Sequence, residues 1–234
     1  MLTHQEVYPI SWKGIDAGRE GLWKEPLWSG VLEVVGNHIG DDVYDPRSSI
    51  YTKLTAQFPK EKWCSLTPDM EFRPLFRDYP HPWTRPGLLN LSHQKFQLTN
   101  KGLSFLEGSI TKRTIFITMF SQHSEEDCNP FYILAHVFLN WEQPLSANEL
   151  FWGIMKNYRP QKDELSVSIK KGKGISLPPP RTPFRRLKHM LQLMRSVEAI
   201  ESYRSANEIK WAARNHSCLL DILAAGQKVW KNGK

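Results

Sequence analysis

Cysteine is scarce in this chain: Cys64, Cys128 and Cys218 are the only three in 234 residues, they lie far apart, and they form no C-x-x-C pair. An odd count at open spacing argues against a disulfide framework and against a cysteine-based zinc site. The eight histidines show neither H-x(3–5)-H nor H-E-x-x-H spacing, so no metal-ligand set is legible. Long apolar runs are missing too. Nowhere do eighteen apolar residues stand together, and the opening Met1-Leu2-Thr3-His4-Gln5-Glu6 lacks a basic region followed by an apolar one. The expectation is a soluble, cytoplasmic protein with no membrane partner. Neither G-x-x-x-x-G-K-[ST], G-x-S-x-G nor G-x-G-x-x-G occurs, and Lys171-Gly172-Lys173-Gly174 reads as a flexible basic loop. No cofactor, metal or catalytic residue is expected, and enzymatic activity is left open with the balance against it.

The most telling absence is local. Between Leu165 and Arg195 there is no acidic residue, while Lys170, Lys171, Lys173, Arg181, Arg185, Arg186, Lys188 and Arg195 all fall inside that window. These eight cations exceed the net charge of +7 by one, so the rest of the chain sums to −1. A concentrated excess on a near-neutral remainder points to a polyanion partner, with duplex DNA the first candidate. The bland alternative is a solvated loop and helix face. If six of the cations pair with phosphates, the logarithm of affinity should fall with the logarithm of salt at a slope of about −5. Such contacts position a protein on DNA without reading sequence, and His189 and Gln192 are the polar candidates for base contact on the same helix.

What is present is enough for a fold: aromatics make up 12% and hydrophobic residues 40% of the chain, a composition that can build a core. Residues 1–49 read as an irregular segment, with the Gly30-Val31-Leu32-Glu33-Val34-Val35-Gly36 run open between helix and strand. Ile50, Leu54 and Phe58 share a helical face that Pro59 ends. The five prolines from Pro68 to Pro86 predict mostly loop. Leu89-Asn90-Leu91 and Phe96-Gln97-Leu98 alternate around Ser92-His93-Gln94-Lys95 as a hairpin, and Thr99 then caps a helix to Glu107.

Farther on, Asn129-Pro130 opens an apolar helix, and Ser146-Ala147-Asn148-Glu149 is a capping box for a second that presents Leu150, Phe151, Ile154, Met155 and Tyr158. A long loop carrying Lys170, Lys171 and Lys173 then runs to Pro178-Pro179-Pro180. Thr182-Pro183 is expected to cap a third, amphipathic helix. Ala199 to Tyr203 and Glu208 to Trp211 suggest another hairpin around Arg204-Ser205-Ala206-Asn207. Three helices followed by a hairpin is the order of a winged helix, whose third helix lies in the major groove while its hairpin reaches the neighbouring backbone. The expected class is therefore α+β, mainly helical: an irregular segment 1–49, a first winged-helix-like module 50–112, and a second module 113–234 with a basic loop and a C-terminal helix. Arg204, in the hairpin, joins the candidate DNA contacts.

The phrase Phe96-Gln97-Leu98-Thr99-Asn100-Lys101-Gly102-Leu103-Ser104-Phe105-Leu106-Glu107-Gly108 resembles the strand, L-T-x-x-G and short helix that end winged-helix domains. Its continuation, Asn129 to Leu134 and then Pro144 to Leu150, resembles the opening of the next module in the target-recognition part of type IIS restriction endonucleases and related phage-defence proteins. The resemblance covers residues 50–210 in layout and 96–150 closely. It implies DNA recognition, and beside it a protein partner in a multi-subunit complex is expected. Because those enzymes add a nuclease domain for which only some twenty residues remain here, it does not extend to cutting.

Two other readings stand beside this one. A protein-interaction subunit of a larger nucleic-acid machine would use the same modules for assembly. A small Mg²⁺-dependent nuclease would need an acid before Glu208-Ile209-Lys210, and the nearest aspartate, Asp163, is forty-five residues upstream. Pro68-Asp69 with Glu71 meets Arg73 where lysine is wanted. The cluster Asp41, Asp42 and Asp45 suits an acidic turn better than a cation site, and Trp83, Trp141, Trp152 and Trp211 suit a core better than base stacking.

Overall fold

A computed structural model describes residues 20–122, 129–155, 164–175 and 177–230. Cys128, Tyr158, Asp163 and residues 1–19 of the segment expected to be irregular lie outside the described residues. The chain is mixed helix and strand with small antiparallel sheets, and it divides into two compact units, one of Ala17–Ile115 and one built on Phe116–Lys234.

In the first unit a 3₁₀ turn, Glu20–Trp23, precedes α1 (Leu27–Gly36). The run left open between helix and strand is thus helical, because Leu27, Trp28, Val31, Leu32, Val34 and Val35 bury most of its circumference. Next come α2 (Ser49–Gln57), the hairpin β1 (Cys64–Leu66) and β2 (Phe72–Pro74), and two single turns, α3 (Leu75–Asp78) and α4 (His81–Thr84). The stretch expected to be mostly loop therefore holds a strand and two turns of helix. Its prolines sit where no N–H is missed: Pro74 precedes α3, and Pro82 lies in the first turn of α4.

The hairpin β3 (Leu89–Ser92) and β4 (Lys95–Leu98) turns on His93 and Gln94 alone, both at positive φ. Thr99 then caps α5 (Asn100–Leu106) by accepting from the Gly102 N–H at 3.0 Å. A Cβ at Gly102 would stand 2.3 Å from the Leu88 carbonyl oxygen, so the glycine lets helix and hairpin touch through backbone. The core centres on Trp28, Phe76, Trp83 and Phe96. Trp28 Nε1 donates to the Pro82 carbonyl and Trp83 Nε1 to the Trp28 carbonyl, both at 2.8 Å, so both indoles are satisfied within the core.

Beyond α6 (Lys112–Gln122), α7 (Pro130–Asn140) starts as its sequence dictates. The Asn129 side chain accepts from the Phe131 and Tyr132 N–H groups, donates to the Phe120 carbonyl at 2.9 Å, and is followed by Pro130 at N1. Strand β5 (Leu145–Ser146) leads into the capping box at Ser146 and α8 (Ala147–Glu149). A π-helical turn over Leu150–Met155 replaces the expected α-helical stripe.

The largest departure follows. The segment expected to be a basic loop contains α9 (Leu165–Lys173), which rests Ser168, Ile169 and Gly172 on the π turn. A Cβ on Gly172 would lie 2.5 Å from the Gly153 nitrogen, and one on Gly153 would lie 2.6 Å from the Ser168 carbonyl oxygen. Gly172 is thus a packing residue rather than a loop hinge.

α10 runs from Arg181 to Ser196 with Pro180 as its N-cap, so Thr182 is inside the helix and not its cap. Pro183 is tolerated there because first-turn N–H groups have no intrahelical acceptor. Strands β6 (Ile200–Ser205) and β7 (Glu208–Ala213) form the expected hairpin around Ala206-Asn207, and α11 (His216–Trp230) closes the described chain. The sheet order is β5-β7-β6, with Leu145 opposite Trp211 and Ser146 opposite Lys210. The first unit shares one pairing of this wiring, with the hairpin β1–β2 inserted between α2 and α3. After α1, Asp42 bridges antiparallel to Lys95 on β4, as β5 after α7 pairs with β7. Among the described residues, no helix is long and apolar enough to cross a membrane.

Candidate nucleic-acid interface

On α10 the apolar side is fixed by Leu187, Met190, Leu191, Leu193 and Met194, all buried. Arg181, Arg185, Lys188 and Arg195 are exposed, and Gln192 is half-buried. At 3.6 residues per turn these five positions fall within an arc of about 80°. The solvent-facing stripe of the helix is therefore four cations and one amide, with no carboxylate. Lys188 is steadied by the Phe184 ring, its Nζ lying 4.4 Å from the ring centroid. Phe184 in turn meets Phe151 of the π turn edge-on at 6.0 Å.

Two of the expected contacts sit elsewhere. His189 is only 8% exposed and faces the core side, which removes it as a base contact. Its neighbours Leu187, Met190 and Leu191 set that phase. Arg186 is half-buried and, by helical phase, falls on the core side between Leu193 and Met190. On α9, Lys170 and Lys171 are exposed in the last turn, where cations complement the carbonyl end of the helix. Arg204 is exposed on β6 opposite Ile209. Among the described residues, Lys170, Lys171, Arg181, Lys188, Arg195 and Arg204 have no carboxylate partner.

Lys173 is different, and so is Lys210. The Glu149 carboxylate accepts from the Ser146 N–H at 2.7 Å and from Lys210 Nζ at 3.2 Å, and lies 3.7 Å from Lys173 Nζ. One side chain thereby joins the start of α8, the end of α9 and the middle of β7. Burial pushes the Glu149 carboxyl up, but the Ser146 N–H and the Lys210 ammonium outweigh it and hold it below the ordinary carboxylate value. Burial likewise pushes Lys210 down, and Glu208 and Glu149 overcome that and raise it. From sequence Glu149 is legible only as a capping residue. Its wider role depends on β5 pairing with β7, which no local signal announces.

The remaining candidates resolve into structural roles. Lys210 of Glu208-Ile209-Lys210 is held by Glu149 and Glu208. Asp42 and Asp45 accept from the Tyr44 and Arg47 N–H groups, and Asp41 from the Ser49 hydroxyl, as turn-forming aspartates do. Among the described residues, no three His, Cys, Asp or Glu side chains gather into a group that could hold a metal ion. Trp83, Trp152 and Trp211 are core residues, and Trp141 is half-buried. Cys64 is a half-buried free thiol, and the buried Cys218 Sγ donates to the Val197 carbonyl at 3.6 Å. No family model, curated protein or solved structure matches the chain.

Proposed function

We propose that the second unit is a winged-helix module and that the chain is a non-catalytic DNA-binding subunit of a restriction, phage-defence or other DNA-processing system. The observation that carries this is the solvent stripe of α10, Arg181, Arg185, Lys188, Gln192 and Arg195, on the helix that leads directly into a two-stranded wing. The wiring supports it: helix, short strand, the α8 and π turn, α10 and hairpin follow the order of a winged helix, with α9 inserted before α10 and the short strand paired to the hairpin's second strand. Electrostatics supports it further. A cation in the first turn of a helix opposes the macrodipole, by about 0.3 to 1 kcal/mol at the surface, so Arg181 serves something other than helix stability.

A second reading, a protein-interaction subunit, is favoured by one feature of the first unit. The β1–β2 hairpin exposes Leu66, Met70 and Phe72 at 54%, 76% and 64%, and Leu66 pairs with Phe72 across the strands.

A salt series of binding to duplex DNA, single-stranded DNA and RNA separates the readings. Under the first, the full chain binds duplex best with a slope near −5, and Lys188→Glu with Arg195→Glu abolishes binding while leaving the melting temperature nearly unchanged. Retained binding in that double variant removes α10 from the interface. Indifference to all three nucleic acids at low salt, with co-purification of a partner protein, favours the second reading.

A further inference from the structure

The α10 stripe contains one side chain that cannot serve a phosphate by charge. Gln192 stands about 6 Å beyond Lys188 and about 4.5 Å before Arg195 along the helix axis, near the middle of the exposed arc. Among the described residues its amide makes no hydrogen bond within the chain. An amide pressed into a groove loses its water, and a desolvated donor and acceptor must both be re-paired. In the major groove, adenine presents an acceptor, N7, beside a donor, N6, and so matches both ends of the amide at once. Guanine offers two acceptors, cytosine a lone donor, and thymine an acceptor beside a methyl group. With His189 turned into the core, Gln192 is the uncharged polar side chain left on the stripe, the exposed Thr182 lying about 80° away from it around the helix.

We propose that Gln192 is a specificity-determining residue that reads an adenine in the major groove of duplex DNA, with Lys188 and Arg195 placed on either side of it for the flanking phosphates. The inference rests on α10 being the groove-facing helix. The test is selection of bound duplexes from a library randomised in sequence, with the full-length wild type, Gln192→Ala and Gln192→Glu.

The wild type is expected to enrich adenine at one position by about 5- to 150-fold over other bases. Gln192→Ala should lose the preference at that position alone while keeping its salt slope and melting temperature. Gln192→Glu, which can only accept, should shift the preference there toward cytosine. Duplex binding without an adenine preference, or a preference that survives Gln192→Ala, overturns the assignment and leaves α10 as a backbone contact. Absence of duplex binding at any salt overturns both this inference and the reading beneath it.

Discussion

Glu149 shows how much one carboxylate organises. It closes the cap of α8 and ties Lys210 and Lys173 to it, so those two cations are committed inside the second unit while Lys170 and Lys171 stay outward. Because its folded pKa lies below its unfolded one, its contribution to stability is complete above the unfolded value, about pH 4.3, and drains away as pH falls through the folded value. Glu149→Gln keeps the shape and an acceptor for the Ser146 N–H but drops the charge. It is expected to cost about 2 kcal/mol at pH 7, in the range of hydrogen bonds to charged groups. Denaturant unfolding at pH 7 and pH 3 checks this: the gap between wild type and variant should narrow in acid. An equal gap at both values would mean that the charge contributes nothing and the cap alone matters.

At the scale of elements, those that stand on capping and alternation are legible in the sequence. Asn129-Pro130, Ser146 with Glu149, and Thr99 each satisfy orphan N–H groups with their own side chains, and such signals need no tertiary context. Helix α9 is not legible in that way, because its buried face is Ser168, Ile169 and Gly172, two of which carry no hydrophobic signal, and its glycine and lysines mimic a loop. The reason it is a helix lies in its partner, the π turn, against which Gly172 and Gly153 meet through backbone. At an exposed helical site, glycine to alanine stabilises by up to about 1 kcal/mol. At Gly172 it is instead expected to destabilise by about 1 to 3 kcal/mol, since a Cβ there overlaps backbone that cannot swing aside. Chemical denaturation of Gly172→Ala gives the sign, and a stabilised variant would show that α9 does not pack this closely.

For the whole molecule the question is whether charge acts by amount or by place. Residues 116–234 carry a net charge of +6 and residues 17–115 only +2, which locates the excess but not the surface that presents it. Folding adds the helical phase: it sorts one run of cations into the outward Arg181, Arg185, Lys188 and Arg195, the half-buried Arg186, and the Lys173 held by Glu149. Phase is also why Gln192 and His189, three residues apart, part company. If overall charge governed binding, any three exposed cations would be equivalent. Arg181→Ala, Lys188→Ala and Arg195→Ala together remove three charges from the α10 stripe, whereas Lys53→Ala, Lys60→Ala and Arg77→Ala remove three exposed ones from the first unit. With three phosphates no longer neutralised, the salt slope for duplex DNA is expected to flatten by about 2.7 in the first triple variant. It should stay within error of wild type in the second. Equal flattening in both would show that affinity follows net charge, and that the stripe on α10 is an ordinary solvated face.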